Sequence, residues 1–180
     1  MEMKQKVHQE AFYRLSIYVK DTRLKQMECY VQHGDISTYE HCLLVAYYSF
    51  LLMRKLHIRC NEEELLRGAL LHDYYLYDWH KKERWHRWHG FRHANIALKN
   101  ALQDFQLTPI EKEIIRKHMW PLTVIPPTCR EAWIVNMADT FISLIETIAY
   151  RRRSSRMLEK WILQPLLEIY GYAALTKKRF

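Results

Sequence analysis

Apolar residues recur at three- and four-residue intervals through most of the chain, and residues that favour helix starts punctuate them. In Ser37-Thr38-Tyr39-Glu40 a serine stands three residues ahead of a glutamate. That spacing lets side chain and backbone cap each other at a helix N-terminus. Leu44, Val45, Tyr48, Leu51 and Leu52 follow at helical spacing, which predicts a helix beyond this cap. Asn61 before three consecutive glutamates is a second start, the acids being favourable in a first turn. Leu65, Ala69 and His72 then share one face. Thr108-Pro109-Ile110-Glu111 is a third start, with proline at the first helical position and Ile114, Ile115 and His118 on its inner stripe. Pro121 disfavours helical geometry in the residue before it, so this helix is expected to stop near Trp120. Residues 122–127 read as an extended loop. Further helices are expected over about 130–152 and 155–170, with Pro165 kinking or breaking the second. Residues 6–31 read as one or two leading helices. Over residues 73–90, Tyr, Trp, His, Lys and Arg interleave without a period, which reads as an irregular loop or lid at an active site.

Composition narrows the architecture. At 180 residues and 49% hydrophobic, the chain supports one substantial core, so residues 1–180 are read as a single domain. Only 4 Gly and 5 Pro are present, too little punctuation for a turn-dense all-β fold, and an all-α helical bundle is expected. Twenty-eight Lys and Arg against 20 Asp and Glu leave a formal charge of +8, which favours anionic partners without specifying the fold. The excess is uneven, because acids gather at Asp35 and Glu40 and again at Glu62–Glu64 with Asp73 and Asp78. Cys29, Cys42, Cys60 and Cys129 show no C-x-x-C spacing and are read as reduced thiols. The first fourteen residues are polar, with no secretory leader, and the longest apolar stretch, residues 43–53, is about half a membrane span. A cytoplasmic protein with no membrane partner is expected. Phosphate-binding loops of the Walker type, dinucleotide fingerprints and serine nucleophile elbows are absent from the sequence.

The chemistry-bearing residues are histidines and aspartates. Of ten histidines, His8, His57, His80 and His86 read as surface or satisfied residues. His41 lies one turn into the helix capped at Ser37. His72, followed at once by Asp73, ends the apolar face Leu70-Leu71-His72-Asp73. His93 opens the helix after the aromatic loop, and His118 ends an inner stripe. Asp139 interrupts the run Val135-Asn136-Met137-Ala138-Asp139-Thr140-Phe141, where an unpartnered carboxylate would be costly. A metal ion is one partner that would satisfy it; a cap or core hydrogen bond is another.

In order along the chain, His41, the adjacent pair His72-Asp73 and the distant Asp139 resemble the HD superfamily of metal-dependent phosphohydrolases. The likeness spans about residues 33–150, leaving 151–180 as a helical extension. Its carrying segments are Gln32-His33-Gly34, Glu40-His41-Cys42-Leu43-Leu44-Val45-Ala46, Leu70-Leu71-His72-Asp73, His93-Ala94-Asn95-Ile96-Ala97-Leu98 and Lys117-His118-Met119-Trp120-Pro121. The narrower resemblance is to small bacterial HD-domain proteins. What it implies is an HD-type bundle with a metal held by His41, His72, Asp73 and Asp139. Asp73 would bridge to a second metal completed by His93 and His118, as in two-metal members. Asp73, His93 and His118 are then the catalytic set, and hydroxide held by the metals attacks phosphorus. Imidazole-rich ligation favours Mn or Fe, with Mg, Zn, Ni and Co as alternatives.

Around this set, His33, Arg84 and Arg92 are candidate substrate contacts, and Lys81, Lys82 and Arg87 further loop cations. His89 could add a ligand or a proton donor. Trp79, Trp85 and Trp88 with Tyr74, Tyr75 and Tyr77 could stack on a base or simply pack the loop. The run Arg151-Arg152-Arg153 with Arg156 reads as a solvated helix face more readily than as a nucleic-acid contact. The expected substrate is a small phosphorylated, nucleotide-like metabolite. Two rivals stand beside hydrolysis: a di-iron oxygenase, which the same ligand set resembles, and a metal-stapled module that binds nucleic acid or a partner without turnover.

Overall fold

A computed structural model of the chain describes residues 2–81, 88–152 and 154–176, the side chains of residues 2–4, 33, 155 and 176 excepted. Helix α1 (Glu2–Tyr18) leads through a 3₁₀ turn (Leu24–Cys29) into two short strands, β1 (Val31–His33) and β2 (Ile36–Ser37). Helices α2 (Thr38–Lys55), α3 (Glu62–Leu71), α4 (His89–Asp104), α5 (Pro109–Lys117) and α6 (Arg130–Arg152) follow. The chain closes with α7 (Ser155–Leu158), a π-helical turn (Glu159–Leu163) and α8 (Gln164–Thr176). The fold is all-α apart from the hairpin.

Three helix starts form as their sequences predict. Ser37 and Thr108 each accept from the backbone three residues on, while Glu40 and Glu111 reach back to the cap residue. Asn61 accepts from the backbone N–H groups of Glu63 and Glu64. Each cap satisfies donors that a helix end leaves without partners. α2 is central: it packs against α1, α3, α6 and α8, and is buried around most of its circumference. α5 in turn bridges α3, α4 and α6. α3 and α5 approach so closely at Gly68 that an added Cβ would collide with Ile114 Cδ1. Gly68→Ala is therefore expected to destabilise the fold by about 1–3 kcal/mol, read as a lower urea midpoint; an unchanged midpoint would show that Ile114 simply moves aside.

Some expectations need revision. The β1–β2 hairpin was not anticipated; its turn uses Gly34 at φ +61°, packed under the ring of Tyr150. α4 begins at His89, so Gly90 belongs to a helix and not to the irregular stretch, whose residues 82–87 lie outside the described set. Pro165 neither ends nor breaks the last helical run. The turn before it widens into π geometry, and α8 continues to Thr176. Among the described residues, α6 is long and apolar enough to cross a membrane by length and composition, yet 56% of that stretch is buried inside the bundle.

Candidate metal centre

Helix ends and helix interiors deliver the six predicted side chains to one buried point. α2 contributes His41 one turn from its start. The C-terminal end of α3 contributes His72 as its cap residue, with Asp73 next. His93 comes from the second turn of α4, His118 caps α5, and Asp139 comes from the middle of α6. All six are buried, and Asp139, at 8% exposure, is the most accessible.

Ring orientation is fixed from behind. His72 Nδ1 faces the carbonyl of Ala69 at 2.7 Å, His93 Nδ1 that of His89 at 2.9 Å and His118 Nδ1 that of Ile115 at 2.9 Å. His41 Nδ1 faces both carboxylate oxygens of Glu146 at 3.0 and 3.1 Å. Carbonyl and carboxylate oxygens only accept, so each Nδ1 donates, and Nε2 faces the centre as a bare lone pair where the ring is neutral and as an N–H donor where it is protonated.

The distances divide these acceptors into two groups around Asp73. On its Oδ2 side lie His72 Nε2 at 3.6 Å and His41 Nε2 at 4.0 Å, with Asp139 Oδ1 at 3.1 Å from His41 and 3.7 Å from His72. On its Oδ1 side lie His93 Nε2 at 3.2 Å and His118 Nε2 at 3.5 Å, the two nitrogens only 2.9 Å apart. His72 Nε2 and Asp73 Oδ1 are buried without a hydrogen-bond partner. Two buried carboxylates among four converging rings, with orphaned acceptors between them, call for positive charge, which protons on the rings or a metal cation supply. His41, His72 and Asp139, and likewise His72, Asp73 and His118, are close enough to hold a metal ion. This donor set fits a divalent transition metal.

The electrostatics agree. Burial would raise the Asp73 carboxyl, but positive charge on His72 and His93, with the His118 ring also close by, holds it well below the usual carboxylate range. For Asp139, burial is likewise outweighed by hydrogen bonds from His41 and His72, and its carboxyl is also lowered. Burial works to lower His41, yet the Glu146 charge and the Asp139 hydrogen bond raise it well above its ordinary value. His118, opposed by burial and by the charges of His72 and His93, is lowered.

Supporting residues escaped sequence reasoning. Glu146, buried inside α6, orients His41. It lies seven residues after Asp139, hence on the same helix face, and that spacing was the available signal. Asn136 donates to the carbonyls of His118 and Trp120, tying the end of α5 to α6, and Ser143 donates to Asp139 Oδ1 at 3.2 Å. Gln32, on β1, donates to Asp73 Oδ2 at 3.0 Å.

The predicted substrate contacts fare differently. Arg84 lies outside the described residues, as do Lys82, Trp85 and Arg87, and His33 does so for its side chain. Arg92 is exposed on α4, and among the described residues no hydrogen bond or ion pair joins it to the six. His89 stacks on His93 with ring centroids 4.6 Å apart and meets the Tyr77 hydroxyl at 2.7 Å. Tyr74 and Tyr75 are fully buried, so packing holds for both.

A family model described as HD domain matches residues 38–144. Comparisons with curated proteins and with solved structures found no match. The matched span covers more than half of the chain and includes all six buried residues, and the chain belongs to the HD domain family.

Proposed function

We propose that the protein is a metal-dependent phosphohydrolase with a dinuclear centre, acting on a phosphomonoester or phosphodiester of a small nucleotide-like metabolite. The observation that carries this reading is the division of acceptors by Asp73, with one carboxylate oxygen toward His41 and His72 and the other toward His93 and His118. His41, His72, Asp73 and Asp139 would hold one ion, and Asp73, His93 and His118 a second, with Mn or Fe favoured by the imidazole-rich set. Such ions supply Lewis acidity toward phosphoryl oxygens and acidify water toward neutral pH.

The chain's own residues position the reaction. Asp139, the most accessible of the six, marks the side from which a phosphoryl group enters. Further along α6, Thr147 and Arg151 line a cavity of about 300 Å³ with Gly34, His80 and Tyr150. Thr147 and Arg151 lie about 12 and 18 Å beyond Asp139 at 1.5 Å rise per residue. A leaving group with a second anionic charge would fit there, since Arg151 is exposed and cationic. The four cysteines are free, which suits a reducing cytoplasmic setting.

Mn-loaded protein under strict anaerobiosis is expected to release phosphate or alcohol from at least one member of a phosphoester panel. Turnover restricted to iron with oxygen, and none anaerobically, would replace hydrolysis by the oxygenase reading. Salt-dependent RNA binding without any turnover would replace both by a binding module.

A further inference from the structure

We propose that Gln32 is a positioning residue that sets the rotation of the Asp73 carboxylate, and so determines that each of its oxygens serves a different half of the centre. This deepens the dinuclear reading and rests on it for its consequence, though not for its geometry.

An aspartate side chain rotates readily about its last bond, and nothing in its own backbone decides which way the two oxygens face. Within the centre, Oδ1 faces His93 Nε2 at 3.2 Å and His118 Nε2 at 3.5 Å but makes no hydrogen bond, so it is not the oxygen that fixes the rotation. Oδ2 has one: the Gln32 amide nitrogen, 3.0 Å away. Gln32 is itself buried, on the hairpin strand that precedes α2. Its amide cannot flip. Asp73 is ionised and accepts only, so it must see the NH₂ end of the amide. At the other end Gln32 Oε1 accepts from the Tyr75 hydroxyl. The Thr38 hydroxyl, 3.1 Å from Tyr75 Oη and 3.5 Å from Gln32 Oε1, closes the group.

All four residues are buried, and they come from three places: β1, the first residue of α2, and the turn after α3, which supplies both Asp73 and Tyr75. The short hairpin thus has a task that its size conceals. It carries one donor into the core, and Gly34 at its turn lets it fold back close to α6. A fully satisfied buried polar group fixes a single geometry, whereas a partly satisfied one is destabilising.

The full chain is stripped with chelator and titrated with Mn²⁺ for wild type, Gln32→Leu and Tyr75→Phe, and the metal-free melting temperatures are recorded. Gln32→Leu removes the donor at similar volume. Its Mn²⁺ affinity is expected to fall about tenfold or more, the usual effect of losing a partner behind a metal ligand. Tyr75→Phe, which frees only the far end of the amide, is expected to lose less, in the same direction. Affinities unchanged within twofold in both variants would overturn the assignment. Metal-free protein separates the two levels of the claim. There, Gln32→Leu is expected to lower the melting temperature of the Asp73 protein at least twice as far as it lowers that of Asp73→Ala. Equal falls in the two backgrounds would overturn the assignment even if metal binds. If wild type binds no Mn²⁺, the dinuclear reading fails, and this coupling alone decides whether Gln32 holds Asp73.

Discussion

Asp73→Ala is expected to abolish metal binding in both halves of the centre and to reduce turnover by about a thousandfold or more, equivalent to about 4 kcal/mol of lost transition-state stabilisation. The reason is geometric. Asp73 Oδ2 lies on the His41–His72 side and Oδ1 on the His93–His118 side, so one truncation removes an oxygen from each. His118→Ala removes one nitrogen from the Oδ1 side and leaves His41, His72 and Asp139 intact. It is expected to cost about one ion per chain and less activity than Asp73→Ala. Metal content by elemental analysis and phosphate release on the same preparations check both. Small and equal effects would mean that Asp73 is an ordinary helix-end aspartate.

The second large effect is expected from Glu146→Leu. Glu146 is 1% exposed and its two oxygens accept from His41 Nδ1. Leucine would leave His41 Nδ1–H buried without an acceptor and free the ring to turn, so the Nε2 lone pair would no longer be aimed at the centre. Metal affinity is expected to fall about 10- to 100-fold. Glu146→Gln, which keeps an acceptor oxygen for Nδ1–H, is expected to lose less. Titration of chelator-treated protein with Mn²⁺ measures both variants. Equal affinity in Glu146→Leu and wild type would show that neighbouring packing alone orients His41.

Much of the molecule was legible along the chain because its signals are local. The caps at Ser37, Asn61 and Thr108 need only three or four consecutive residues, and all three form. α6 spans residues 130–152 as its pattern predicts. The six buried ligand candidates stood out because histidine and aspartate are conspicuous on otherwise apolar faces. What escaped is non-local or weakly patterned. Glu146 sits among apolar residues as Asp139 does, but its partner is 105 positions away in sequence. Gln32 stands in a segment that carries the resemblance, Gln32-His33-Gly34, but nothing local shows that its amide enters the core. Strands of three and two residues are too short to display alternation, so the hairpin left no trace. The π turn at Glu159–Leu163 is a tertiary accommodation: proline propensity predicts a break, and widening the helix just before Pro165 avoids it.

The stoichiometry of bound metal tests the centre most directly. Chelator-stripped wild-type protein, titrated anaerobically with Mn²⁺, desalted and analysed for metal and protein together, is expected to plateau at two ions per chain. Asp73 would then serve both halves with one oxygen each. A plateau at one ion per chain, with His93→Ala and His118→Ala leaving it unchanged, would contradict the dinuclear centre.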